Sequence, residues 1–151
     1  MLEPTPGRNW LQMLRRYLLA SAIGNLAWEV VQVPLYTLWR TGTAYEIAQM
    51  VLHCTAADVL IALVSVIVAL LVVGNPSWPE QRFAAVMLGT VAVSVVTTIA
   101  VEYLSTVVWQ FWAYTEAMPT LPWLGTGVSP VAQWAVLPPL ALVWARRQSA
   151  P

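Results

Sequence analysis

The chain has 151 residues, of which 59% are hydrophobic and only 9% are charged. Soluble domains carry about a quarter of their residues as charged side chains, so this composition excludes an ordinary soluble domain and indicates a membrane protein. The formal net charge is zero, and all seven cationic residues are Arg, without a basic tract that would favour nucleic-acid binding. Cys54 is the single cysteine, which excludes an internal disulfide and a cysteine metal cluster.

Four apolar runs predict an all-α, polytopic membrane protein, a four-transmembrane-helix bundle in which residues 1–151 form one membrane domain. Arg15 and Arg16 precede the first run, and Ala20-Ser21-Ala22 imitates the cleavage site of a secretory signal. The apolar core before that site, residues 17–19, is too short for a signal, so we expect a retained span. Residues 10–16 are expected to form an interfacial turn or helix, and Pro34 to kink the first span. The predicted spans are residues 17–39, 47–73, 83–107 (with a helical continuation to 112 left open) and 130–145.

The arginines predict the orientation of these spans. Six of the seven fall on one side of the membrane and only Arg40 falls on the other. Cytoplasmic loops are enriched in Arg and Lys, so both termini are expected to be cytoplasmic, in the cell inner (plasma) membrane. The six are Arg8, Arg15, Arg16, Arg82, Arg146 and Arg147.

The first span carries a polar face. Asn25, Glu29 and Gln32 stand at i, i+4 and i+7, which places a carboxyl and two amides on one side of a helix. A carboxyl near the middle of the hydrocarbon costs about 2.5 kcal/mol or more, so Glu29 is expected to face protein, water or a ligand rather than lipid. This face therefore predicts a buried polar site.

The other spans bring polar side chains to the same depth. At about 1.5 Å per residue, they fall into one layer in the outer half of the bilayer. His53 and Asp58 are five residues apart, about 140° around a helix, so both reach one site only if the cavity is broad. Otherwise one of them caps the site or contacts a neighbouring helix. The converging residues are Glu29, Gln32, His53, Asp58, Glu102 and Gln133.

Two interpretations of the acids are open. Glu29 and Glu102 could share a proton and act as general acid and base, or each could only order the bundle through hydrogen bonds. His53 could exchange protons or ligate a metal, although a hydrogen-bonded histidine is the alternative, and we predict no metal and no cofactor. Span three carries its polar side chains at steps of three or four: Ser94, Thr98, Glu102, Ser105 and Trp109.

Residues 113–129 form the predicted extracytoplasmic loop, which is rich in Pro, Gly and aromatic residues. Stiff Pro and Trp beside Gly125 and Gly127 favour a lid over the site, and an aromatic belt at the membrane surface is the alternative.

The predicted site combines candidate catalytic and substrate-binding residues. The catalytic candidates are Glu29, Glu102, Asp58 and His53. The substrate-binding candidates are Asn25, Trp28, Gln32, Tyr36, Trp109, Trp112, Tyr114 and Gln133.

Five motifs are spread over nearly the whole chain: Asn25-x-x-Trp28-Glu29-x-x-Gln32-x-Pro34-Leu35-Tyr36, His53-Cys54-x-x-x-Asp58, Glu102-Tyr103, Trp112-Ala113-Tyr114-x-x-x-Met118-Pro119 and Gly125-x-Gly127-x-Ser129-Pro130-x-x-Gln133-Trp134. Together they resemble a group of small four-span bacterial membrane proteins that carries no function to transfer. Separately, the short Asn-x-x-Trp-Glu motif is similar to one in integral-membrane meroterpenoid (terpene) cyclases, which are longer proteins. That resemblance implies protonation of an isoprenoid by intramembrane acids.

Three functions are compatible with these patterns. The first is a membrane-embedded acid–base enzyme of the isomerase or cyclase type, acting on an isoprenoid or other lipid from the outer leaflet, with Trp28 and Trp109 stabilising a developing cation. The second is a proton-coupled small-molecule carrier or binder, and the third is an accessory subunit of a membrane complex. The expected partners are membrane lipid and a small hydrophobic ligand or substrate, with no nucleic acid, and the oligomeric state is left open.

Overall fold

The computed structural model describes residues 9–149, and four of its helices are long and apolar enough to cross a membrane. The described chain is helical, with two isolated β-bridges and no strand between residues 9 and 149. The all-α prediction and the count of four long helices are confirmed. The helices are α1 (Asn9–Gln32), a short α2 (Leu38–Thr41), α3 (Ala44–Val73), α4 (Phe83–Tyr103) and α5 (Val128–Ser149).

The four long helices pack as a ring. Helix α1 packs against α3 and α5, and α4 packs against the same two, so α1 and α4 lie diagonally opposite each other. A site between all four helices can therefore receive side chains from every one of them.

One end of this ring collects the arginines. Arg16 near the start of α1 donates a hydrogen bond to the Gln148 carbonyl at the end of α5, and the Arg146 guanidinium lies 4.5 Å above the Phe83 ring at the start of α4. We call this the arginine end. Arg40 lies in α2, beyond the opposite end of α1, and Arg8 lies outside the described residues.

The first two helix boundaries differ from the predicted ones. Helix α1 begins at Asn9, so residues 10–16 belong to it and do not form a separate interfacial segment. It ends at Gln32 rather than near residue 39. Pro34 has no backbone N–H to donate, and it disfavours the α conformation at Val33. A 3₁₀ turn over Val33–Leu35 follows, so the chain leaves the helix where a kink was expected.

The later helices also differ at their ends. Helix α4 passes into a π-helical turn at Leu104–Val108, and the chain leaves it at Trp109, before residue 112. Helix α3 begins at Ala44, where the Thr43 hydroxyl and the Glu46 side chain form a reciprocal capping box. Helix α5 continues through Pro138 and Pro139 and covers more than the predicted span.

The half of the bundle nearer the arginine end is tightly packed. Its buried side chains include Tyr17 of α1, Val66 of α3 and Val86 of α4, all fully buried. Thr90 and Ser94 are buried there too, and each donates to a carbonyl of its own helix. Gly89 lets α4 approach α3 closely, since a Cβ at this position would lie 3.1 Å from the Ala69 Cβ.

This contact gives a stability prediction. Gly89→Leu should lower the melting temperature of the detergent-solubilised protein, because overpacking a close contact costs about 1–3 kcal/mol. The matched control is Ala92→Leu, which adds the same side chain at an exposed position of the same helix. Equal melting temperatures for the two variants would contradict the close α3–α4 contact.

Candidate functional site

A cavity of about 250 Å³ lies in the half of the bundle away from the arginine end. Carboxyl groups from three helices line it: Glu29 from α1, Asp58 from α3 and Glu102 from α4. These residues are buried, with exposed fractions of 4%, 8% and 8%. Helix α5 contributes Gln133, which is 1% exposed. The predicted site residues that line the cavity are Glu29, Gln32, Tyr36, His53, Asp58, Glu102, Trp109, Trp112 and Gln133.

Gln133 is the central donor of the site. Its amide nitrogen lies 2.8 Å from Asn25 Oδ1, 2.9 Å from Asp58 Oδ2 and 3.4 Å from Glu29 Oε1. The Glu29 and Asp58 carboxyls also neighbour each other at hydrogen-bond range. One neutral side chain therefore ties the acids of α1 and α3 to α5 without adding a charge.

A second chain of hydrogen bonds orients Gln32. The Trp28 indole N–H donates to Ser129 Oγ at 3.2 Å, and the Ser129 hydroxyl donates to Gln32 Oε1 at 2.9 Å. With its oxygen held in this way, Gln32 turns its amide nitrogen to Glu29 Oε1 at 2.7 Å. The chain therefore ends on the Glu29 carboxyl, and its last donor is the Gln32 amide.

Glu102 is held by the loop that follows α4. The Tyr114 hydroxyl donates to Glu102 Oε2, and the Gly127 N–H donates to the same hydroxyl at 3.0 Å. Burial and the neighbouring Glu102 charge raise the pKa of Tyr114, so the phenol stays a neutral donor. The Tyr114 ring also lies 5.5 Å from the Tyr36 ring, centroid to centroid.

Backbone hydrogen bonds fasten this loop to the segment after α1. Thr37 N–H donates to the Ala113 carbonyl at 2.9 Å, and Thr115 N–H donates to the Leu35 carbonyl at 2.8 Å. The loop thereby covers the end of the bundle opposite the arginine end. Its tip carries Trp123, which is fully exposed. Whether the loop opens as a lid stays a prediction.

The exposed residues of the cavity lining indicate an opening between α3 and α4. The lining residues that are exposed lie on these two helices and directly after α4: His53, Ala57, Val101, Trp109 and Phe111. In a bilayer this mouth would face hydrocarbon at the depth of the cavity. An amphiphile could therefore enter it from the side.

His53 and Asp58 both reach the cavity, at different depths. Asp58 is buried beside Gln133, whereas the His53 side chain is exposed at the mouth. The cavity is broad enough for both, which answers the geometric question raised by their spacing. Within residues 9–149, no three His, Cys, Asp or Glu side chains are grouped as a metal site would require.

Three of the predicted substrate-binding residues do not line the cavity. Asn25 lies behind it as an acceptor for Gln133, and Tyr114 lies behind Glu102. Trp28 lines a separate shallow groove between α1 and α5. These three can position cavity groups but are not among the residues that line the cavity, and their predicted contact with a substrate stays a prediction.

Several lining residues had no predicted role. Thr98 and Ser105 stood on the polar stripe of span three and could have been included on that signal. Phe111 and Trp134 are aromatic residues with nothing in their spacing to mark them. Ser129 connects Trp28 to Gln32 although it does not line the cavity.

No family model, curated protein or solved structure matches the chain, so both resemblances stay predictions. The site must be interpreted from its own geometry.

Replacing Gln133 tests the bridge between the helices. Gln133→Leu should destabilise the protein by about 1–3 kcal/mol, because it leaves buried acceptors on α1 and α3 without a donor. Thermal unfolding in detergent measures the change, with Gln12→Leu at an exposed position of α1 as the control. A Gln133 variant as stable as the control would show that the bridge is dispensable.

Replacing Tyr114 tests the attachment of the loop. Tyr114→Phe removes the donor to Glu102, and we expect chymotrypsin to cleave within residues 109–127 several-fold faster. Tyr103→Phe, which changes an exposed tyrosine beside Glu102, should leave the rate unchanged. An unchanged rate for both variants would mean that this hydrogen bond does not hold the loop.

Proposed function

We propose that this protein is a membrane-embedded acid–base enzyme of the isomerase or cyclase type, which acts on an isoprenoid or other lipid. The observation that supports the proposal is the convergence of Glu29, Asp58 and Glu102, from three separate helices, on one cavity. Ionisable groups at membrane depth are expensive and usually serve function. Side-chain hydrogen bonds alone would order a bundle without an open cavity between the acids.

The arrangement suits two proton-transfer groups. Glu29 and Asp58 form one group, joined through Gln133, and Glu102 forms the other on the diagonally opposite helix. A protonated carboxyl of one group gives its proton to an alkene carbon of the substrate, which leaves a cation on the neighbouring carbon. A carboxylate of the other group then takes a proton from an adjacent carbon, and the double bond has moved without a cofactor.

Aromatic side chains support the cationic stage of this reaction. Trp109 and Trp112 line the same cavity as the acids, together with the buried Tyr36. The face of an aromatic ring attracts a cation, by about 2 kcal/mol or more where water is excluded. The predicted role of Trp109 is therefore compatible with its position, whereas that of Trp28 would have to be indirect.

We also propose that the arginine end faces the cytoplasm and that the membrane is the cell inner (plasma) membrane. Arg15, Arg82 and Arg147 lie at that end, whereas Arg40 lies beyond the other. With this orientation the cavity mouth opens into the outer leaflet.

The packed half of the bundle favours the enzyme over a carrier. A carrier needs access to its site from both sides of the membrane. Between the cavity and the arginine end, side chains such as Tyr17, Val66 and Leu142 are buried in contact with their neighbours. A path through them would require the helices to separate. A binder without transport and an accessory subunit need no such path. Catalytic turnover of a lipid distinguishes the enzyme from these two alternatives.

The test is proton incorporation from solvent. The purified protein is incubated in D₂O with a lipid extract of its native membrane, and the lipids are analysed by mass spectrometry. Protonation of an alkene should add one deuterium per turnover to a particular lipid, and Glu29→Gln or Glu102→Gln should slow this by about 10²-fold or more.

The matched control is Glu116→Gln, which removes an exposed carboxyl from the loop outside the cavity. It should label lipids at the rate of the unaltered protein. If no lipid takes up deuterium, or if both cavity variants label as fast as the control, the proposed function is wrong.

A further inference from the structure

The charges at the arginine end are almost all of one sign. Within residues 9–149, five arginines lie at this end and a single acidic residue, Glu80, lies in the turn between α3 and α4. A group of like charges on one surface attracts ions of the opposite sign, and the attraction is greatest where no counter-charge is near. The five are Arg15, Arg16, Arg82, Arg146 and Arg147.

Two of these arginines line a groove between α4 and α5, which we call the α4–α5 groove. Phe83 from the start of α4 lines it together with Val143, Arg146 and Arg147 from the end of α5, and its volume is about 340 Å³. In the part of the chain that the structure describes, every lining residue is therefore apolar, aromatic or cationic. The groove is suited to an anion that also has an apolar part.

The Phe83 ring restricts one of the two guanidinium groups. The Arg146 guanidinium carbon lies 4.5 Å from the ring centroid, which is a cation–π contact. A side chain that is already held in place loses less entropy when a ligand binds. Stacking on a ring leaves the N–H edge of a guanidinium available, and that edge can donate two parallel hydrogen bonds to a phosphate.

Exposed tryptophans indicate where the membrane surface lies at this end. Trp10 of α1 and Trp144 of α5 are each 43% exposed. Trp is enriched at the level of lipid head groups, because its ring is apolar and its N–H is polar. Trp144 is two residues from Arg146 on the same helix, so the α4–α5 groove lies at the level of a phospholipid head group.

Helix α5 continues from the groove as an apolar surface. Val143, Leu140 and Val136 precede Arg147 at steps of three or four, which places all four residues on one face of the helix. Leu140 is 61% exposed and Val136 is 42% exposed. An acyl chain can lie along this face while its head group lies among the guanidiniums. A free phosphate ion would use only the charged part.

We propose that the α4–α5 groove binds an anionic phospholipid, with its phosphate at Arg146 and Arg147 and an acyl chain along α5. The lipid belongs to the leaflet at the arginine end. A zwitterionic phospholipid fits less well, because its ammonium group would lie close to the arginines. The bound lipid contacts both α4 and α5 and so links their ends.

The experiment compares two phospholipids that have the same oleoyl chains and differ in head group: phosphatidylglycerol and phosphatidylcholine. Native mass spectrometry of the full chain in detergent measures the Kd of each. We expect phosphatidylglycerol to bind at least about fivefold more tightly, which is the contribution of one arginine near an anionic lipid. Inorganic phosphate at the concentration of the lipid should not displace it.

Variants assign the preference to the groove. Arg146→Gln and Arg147→Gln should each weaken the binding of phosphatidylglycerol by about fivefold. The matched control is Arg15→Gln, which removes the same charge from an exposed position of α1 at the same end, outside the groove. It should change the Kd by less than about twofold, because solvent screens an exposed charge at a distance. All three side chains are at the surface, so the melting temperatures without lipid should be equal.

Three outcomes overturn the inference. The first is an equal Kd for the two phospholipids. The second is an equal loss of affinity in Arg15→Gln and Arg147→Gln, which would mean that only the total charge matters. The third is displacement of the lipid by inorganic phosphate at equal concentration. The groove and the acid-lined cavity share no lining residue, so deuterium uptake by native lipids tests the enzyme separately.

Discussion

A carboxyl group at the depth of hydrocarbon is tolerated only where hydrogen-bond donors meet it, and this requirement constrains how the helices pack against one another. Gln133 meets it for two helices at once, because its amide nitrogen reaches Asp58 on α3 and the Asn25 and Glu29 face of α1. Tyr114 does the same for Glu102 on α4. Neither donor carries a charge, so the cavity keeps the electrostatic character of its acids.

The two halves of the bundle differ in how they are packed. Toward the arginine end, small side chains such as Gly89 and Ala69 let the helices approach, and the hydroxyls there bond to their own helix. Toward the other end, large aromatic side chains line an open space between the helices. Rigid packing below a site keeps its groups in place, which acid–base chemistry requires.

Much of the fold follows from hydropathy, and part of the site follows from helical spacing. Long apolar runs are read reliably because only a helix satisfies its own backbone in lipid. The i, i+4, i+7 spacing of Asn25, Glu29 and Gln32 was sufficient to place them on one face. The path of residues 109–127 could not be predicted from the sequence, because it depends on backbone hydrogen bonds to Leu35 and Thr37. The hydrogen bond from Trp28 to Ser129 could not be predicted either, because the two residues are 101 positions apart in the sequence.

The hydrogen-bond chain from Trp28 to Glu29 begins at a group that cannot take up a proton and passes through an amide that cannot pass one on. An indole nitrogen donates but does not accept, and an amide such as Gln32 does not readily give up its proton. The chain therefore fixes orientation and is a dead end for proton conduction. In the proposed enzyme, protons would then exchange with the surroundings at the opening between α3 and α4, where the His53 imidazole lies. The opening that would admit an amphiphile would then also be the route by which the carboxyl groups regain their protons.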